Sequence, residues 1–148
     1  MEIIIIILGI ILDRVTKIWA SSSLTNSSVE VIPNFLKLEY LENRGAAFGI
    51  LQNKQWFLIV FTSLILAFVA YFLIRYRKQN HKIINISLSM IIAGALGNLF
   101  DRVVYKYVID FICVHYKDVY YFPTFNVADM FVVIGTFLLA IYIIRDGK

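Results

Sequence analysis

Two aspartates stand in places where carboxylates are costly. Asp110 lies in "YVIDFICV" and Asp129, nineteen residues later, in "NVADMF", each with apolar flanks and no basic residue beside it. Isolating an ionised carboxylate in hydrocarbon costs several kcal/mol or more unless it is paired or protonated. Two carboxylates brought together in a low-dielectric setting do not both ionise easily, so they share a proton. One then serves as base for a water molecule while the other donates to a carbonyl oxygen. That is the chemistry of aspartic proteases, and it needs neither a metal nor a nucleophilic serine.

Other polar residues interrupt the apolar segments: Asp13, Asn98, Asp101, Arg102 and Asn126. Each also has a plain structural reading. Asp13 and Lys17 are spaced i, i+4 for an ion pair on a helix. Asp101 and Arg102 suit a helix end at the headgroups. Asn126, three residues before Asp129, suits the cap of a helix N-terminus. Gly45 and Gly49 in "GAAFG" have the spacing of close helix packing. The single cysteine, Cys113, excludes an intrachain disulfide and a cysteine-based metal site, and its neighbours mark it as a packing residue. His81 and His115 lack ligand-spaced partners, so solvated or interfacial positions are expected, with no metal or other cofactor.

The elements that position these residues follow from composition. Of 148 residues, 60% are hydrophobic and 16% charged, against about 25% charged in soluble domains; mean hydropathy is +0.77. This is the membrane class, expected as one polytopic domain over 1–148. Membrane helices need about 20 apolar residues, and four spans are expected at about 3–20, 56–74, 83–100 and 127–144. In the first, Arg14 and Lys17 are expected to snorkel to the interface beside Trp19. Its opening apolar run lacks the basic start and cleavage site of a signal peptide.

The link "RYRKQNHK" carries Arg75, Arg77, Lys78 and Lys82. The positive-inside rule therefore places it, and with four spans both termini, in the cytoplasm. The connections at about 21–55 and 101–126 then face outward, and Asp13, Asn98, Asp101, Arg102, Asp110, Asn126 and Asp129 gather in one leaflet. The net charge of +4 is read as topological, since no basic stripe suggests nucleic acid. In "FLKLEYLEN" (35–43) Leu36, Leu38 and Tyr40 alternate with Lys37, Glu39 and Leu41, the pattern of a half-buried strand. "VVYKYVIDFICVHY" is rich in β-branched and aromatic residues. The fold expected is an integral membrane protein, mainly α, with four transmembrane helices and a small extracytoplasmic β-platform.

Five ordered blocks carry a resemblance: "DRVTK" (13–17), "NRGAAFG" (43–49), "GALGNLFDR" (94–102), "VIDF" (108–111) and "FNVAD" (125–129). Together they span nearly the whole chain, which resembles lipoprotein signal peptidase (signal peptidase II), a family of bacterial aspartyl membrane proteases. The resemblance implies that Asp110 and Asp129 are the catalytic pair. It implies that Asn43, Asn98, Arg102 and Asn126 bind substrate or support the dyad, and that Asp13, Gly45 and Asp101 give structural support. Four transmembrane helices and an outward β-cradle are also implied. Two positions depart from the family pattern: Arg14 stands where glutamine is common, and Ala93 where glycine is frequent before the third block.

The activity implied is removal of the signal peptide from diacylglyceryl-modified prolipoproteins, with cleavage before the lipidated cysteine. The expected surroundings are the bacterial cytoplasmic (inner) membrane, with the active site towards the extracytoplasmic face. The expected partners are that substrate and membrane lipids, with the chain functional as a monomer. The rival readings are a small ion- or proton-coupled transporter, which would place ionisable groups near the midplane, and a non-catalytic scaffold, which would not need both aspartates.

Overall fold

A computed structural model of the chain describes residues 1–46, 50–117 and 119–146. The elements run α1 (Glu2–Ser23), β1 (Val29–Ile32), β2 (Leu36–Asn43), α2 (Gln55–Tyr76), α3 (Lys82–Tyr105), β3 (Val108–Tyr116), β4 (Tyr120–Tyr121) and α4 (Val127–Asp146). The strands form one antiparallel sheet in the order β1-β2-β3-β4. The strand expected within 35–43 is β2, and β3 and β4 fall inside the aromatic second loop.

Among the described residues three helices, α2, α3 and α4, are long and apolar enough to cross a membrane. Helix α1 is as long as α2, but every 18-residue stretch of it holds Asp13, Arg14 and Lys17. Its two faces explain how it carries these charges. Ile4, Ile7, Leu8, Ile11, Val15 and Ile18 point outward, each at least half exposed, while Gly9, Asp13, Lys17 and Ala20 are buried. The apolar face is therefore the outer one, the reverse of a helix on a water-soluble protein.

Helix α3 is the most enclosed of the apolar helices and packs against α1, α2 and α4. Small residues allow the approach: a Cβ on Gly94 would run into the carbonyl oxygen of Ala128 on α4, and one on Gly97 into the Asp13 carboxylate. At the far end, Leu73, Leu88 and Ile92 form an apolar core with Ile6, Leu66 and Leu139.

Helix α3 also runs further than the span expected at 83–100. It ends at Lys106, whose left-handed backbone (φ 67°) turns the chain while its N–H bonds the Arg102 carbonyl at 3.2 Å. Asp101 and Arg102 therefore lie within the helix rather than in a loop, and β3 begins two residues after the turn. Strand β3 is buried at each of residues 108–111, because the helices lie beneath it and β2 beside it. Phe111 and Ile112 donate to the Phe125 carbonyl at 3.0 and 2.9 Å, and Phe125 N–H returns to Ile112 at 3.0 Å. That tie brings the start of α4 alongside β3. Phe111 also packs with Ala20 and Leu24 beneath the sheet.

Several expectations are corrected. His115 is not solvated: it is buried, with Nδ1 at 2.8 Å from the Lys117 carbonyl oxygen and its ring stacked on Tyr121. His81, by contrast, is exposed as expected; it caps α3, its Nδ1 accepting from Ile83 N–H, and stacks on Tyr142. Gly45 sits in a bend, not a helix, so the helix-packing reading fails there; Gly49 lies outside the described residues. Cys113 is a buried packing residue, as its neighbours predict.

Candidate active site

The site forms where three chain segments meet: the C-terminal half of α3, strand β3 directly after it, and the first turn of α4. Asp110 is 1% exposed on β3, opposite Leu41 of β2. Two asparagines hold it. Asn43, at the end of β2, donates through Nδ2 to Oδ2 at 2.9 Å. Asn126 donates through Nδ2 to Oδ1 at 2.6 Å.

Asp129 stands in the first turn of α4, and its contacts are those of a helix cap. Its backbone N–H donates to Asn126 Oδ1 at 2.9 Å, while the Asn126 N–H donates to Asp129 Oδ2 at 3.1 Å. This reciprocal exchange between a cap and the third helical residue satisfies two exposed N–H groups at once. The carboxylate also lies where the helix dipole favours negative charge. Its other oxygen accepts from Asn98 Nδ2 at 2.7 Å. Asn126 also reaches Asn98 Oδ1 at 3.1 Å and the Ile109 carbonyl oxygen at 3.2 Å. Asp110 and Asp129 are thus joined through Asn126, and Asn98 ties Asp129 to Asn126 a second time.

Both aspartates line one cleft of about 960 Å³, together with Asn43, Asn98 and Arg102. Asp129 is partly exposed to it, Asp110 almost fully buried. Burial is the larger influence on Asp110 and the negative charge of Asp129 the next. Together they push its carboxyl up to about 7, against the asparagine hydrogen bonds and the charge of Lys17. The Asp110 carboxyl is thus poised to hold or release a proton near neutral pH.

Behind this pair lies a buried charge cluster. Lys17 is 0% exposed and its ammonium meets three oxygens: Asn98 Oδ1 at 2.9 Å, Asp101 Oδ2 at 2.9 Å and Asp13 Oδ2 at 3.0 Å. The expectation that Lys17 snorkels to the interface is therefore wrong. Two carboxylates and an amide oxygen hold it inside, which satisfies all three ammonium donors. Asp101 is buried too, and it pairs with Lys17 and with Arg14 (2.6 Å) rather than forming a helix-end pair at the headgroups. It further accepts from Ile109 N–H at 3.2 Å. Asp13 makes the expected i, i+4 pair, and its other oxygen accepts from Ala128 N–H on α4 at 3.0 Å.

Arg102 lies beside the dyad and interacts electrostatically with Asp129, Asp110 and Asp101. Its Nη2 reaches the Gly45 carbonyl at a long 3.4 Å, and among the described residues its buried Nε meets no acceptor. The Gly45 N–H in turn donates to Asn43 Oδ1 at 2.9 Å, which orients the amide so that Nδ2 faces Asp110. Every residue named from the sequence as catalytic, supporting or structural thus belongs to one connected region. Lys17 is the member that sequence reasoning placed elsewhere. The signal for it was its i, i+4 spacing from Asp13, which puts it on the inner face of α1.

The family model described as signal peptidase (SPase) II matches residues 5–145. Lipoprotein signal peptidase of Clostridium novyi (strain NT) is 55% identical over the full length of both chains. That of Clostridium tetani (strain Massachusetts / E88) is 56% identical over 99% of this chain and 94% of its own. A solved bacterial membrane enzyme, determined by the in meso method at 2.3 Å resolution, is 38% identical with a TM-score of 0.86, over 99% of this chain and 89% of that one. With both aspartates facing one cleft and the match running through nearly every residue, the chain belongs to the signal peptidase II family.

Proposed function

We propose that this chain is an aspartic endopeptidase that removes the signal peptide from diacylglyceryl-modified prolipoproteins, cleaving before the lipidated cysteine. One observation carries the reading: Asp110 and Asp129 open onto the same cleft and are bridged by Asn126, which Asn98 braces from the Asp129 side. In this reading the pair holds the attacking water and polarises the scissile carbonyl with its single shared proton. Asn126 and Asn98 fix the two carboxyl groups relative to one another. Asn43 braces Asp110 from the sheet. Arg102, whose Nε meets no acceptor among the described residues, offers donors to the substrate backbone. Asp13, Asp101 and Gly45 support the site without touching the reacting atoms.

The membrane arrangement follows from the same physics. Helix α1 serves as the fourth span, because its outward face is apolar and its charges are satisfied internally. The basic α2–α3 link then lies in the cytoplasm with both termini, and the sheet and cleft lie at the extracytoplasmic face of the cytoplasmic membrane. A substrate held by lipid chains presents its scissile bond at that depth. The cleft is built within one chain, which supports a monomer as the working unit. Clustering of the acids at one end fits this reading better than a transport path, which would place them near the midplane. Separate replacement of Asp110 and Asp129 by asparagine tests the assignment, since either change should abolish cleavage of a lipidated prolipoprotein.

A further inference from the structure

A second cavity lies away from the aspartate cleft. Between α1 and α3, a groove of about 560 Å³ is walled by Ile10, Leu96, Leu99, Phe100 and Val103, and Arg14 borders it. Phe100 and Val103 are about half exposed, so the groove opens to the outside of the helix bundle. In a membrane protein that outside is hydrocarbon, and an apolar groove there has the character of an acyl-chain channel.

Arg14 is a strange group to find on such a wall. Its Nη1 bonds Asp101 at 2.6 Å, and its guanidinium carbon lies 5.2 Å from the Phe100 ring centre and 5.7 Å from that of Tyr105. The rings and the ion pair fix the guanidinium. Among the described residues Nε meets no acceptor and Nη2 makes no hydrogen bond, while the side chain remains 22% exposed. Its charge is balanced within the cluster, where Asp13 and Asp101 face Lys17 and Arg14, and what it keeps is the open N–H edge. Asp101 is shared with Lys17, which sits on its other oxygen at 2.9 Å. The half-exposed Trp19 and Tyr105 mark this end of the groove as the aromatic belt at headgroup depth.

A fixed guanidinium with an open N–H edge, at headgroup depth and above an apolar groove, matches a phosphodiester above an acyl chain. We propose that Arg14 and the α1–α3 groove bind one phospholipid, its phosphate on the guanidinium and one acyl chain along the groove. The site is separate from the aspartate cleft and does not depend on the dyad assignment. The diacylglyceryl group of a lipoprotein precursor carries no phosphate, so a groove serving the substrate would not need Arg14.

Native mass spectrometry of the full chain in detergent tests this. The protein is offered equal amounts of dioleoylphosphatidylglycerol, dioleoylphosphatidylethanolamine and dioleoylglycerol. The expected result is one retained phospholipid, favoured over dioleoylglycerol by about tenfold, the worth of a charge-assisted hydrogen bond. Arg14→Gln, which keeps a donor for Asp101, should lose that preference. Val103→Trp leaves the Arg14 ion pair in place and fills the groove, so it should lower phospholipid retention by a similar factor while the protein stays folded. The proposal is overturned if wild-type protein retains dioleoylglycerol equally well, if it retains no phospholipid, or if Val103→Trp retains phospholipid like the wild type. Retention by a folded Arg14→Gln protein at the wild-type level overturns it as well.

Discussion

The ammonium of Lys17 lies 2.9 Å from Asn98 Oδ1, and this contact sets the direction of the hydrogen bonds that reach the dyad. An ammonium only donates, so Asn98 must present its oxygen to Lys17 and its Nδ2 to Asp129. The first helix thereby orients a group that touches an aspartate in the fourth.

Removing that ammonium should be expensive. Lys17→Met leaves the buried carboxylates of Asp13 and Asp101 facing each other without their shared cation. A loss of about 3–5 kcal/mol is expected, as for other buried pairs deprived of one partner. Denaturant unfolding in detergent measures it, and adding Asp13→Asn to Lys17→Met should restore part of the loss. A single variant as stable as the wild type would show that the cluster is not holding α1, α3 and α4 together.

Activity should depend on pH through the single proton of the dyad. Burial, helped by the charge of Asp129, raises the Asp110 carboxyl to about 7. Below that value the pair keeps its proton, and above it the proton is lost. The rate constant kcat/KM should therefore decline as pH rises through about 7, measured on a lipidated precursor in detergent at fixed ionic strength. A profile flat from pH 6 to 9 would contradict a shared proton.

Asn43 gives that profile a second handle. Its hydrogen bond to Asp110 favours the ionised form, so Asn43→Ala should move the alkaline limb to higher pH. The lost bond to a charged group should also lower kcat/KM by about tenfold to a hundredfold. A fall in rate with an unmoved limb would limit Asn43 to shaping the loop.

Orientation is open to labelling. In a Cys113→Ala background, Ser27→Cys should react with an impermeant maleimide added outside intact cells, and Gln79→Cys should not. Both positions are exposed. The opposite pattern would invert the topology.

Much of this was legible in the sequence because hydrocarbon makes polar residues conspicuous. Asp110 and Asp129 stand out against apolar flanks, and the alternation in 35–43 reports a strand with one face covered. What escaped reading depends on packing between distant segments. Lys17 was expected at the interface because its long stem can reach water. Nothing local reveals that Asp101, 84 residues on, would be brought against it by α3. His115 looked interfacial, yet the Lys117 carbonyl and the Tyr121 ring enclose it. The end of α3 was placed at Phe100, where the apolar run stops. The helix continues to Tyr105 because Asp101 finds cations on α1 and so can stay buried.

The dyad assignment is tested most directly by replacing Asp110 and Asp129 with asparagine one at a time and following cleavage of a diacylglyceryl-modified prolipoprotein in vesicles. Each asparagine keeps an acceptor oxygen but can neither share the proton nor serve as base. Both folded, inserted variants should lose cleavage by at least about a thousandfold, the scale of removing a general base together with its charge. Processing at the wild-type rate by either variant would contradict the assignment.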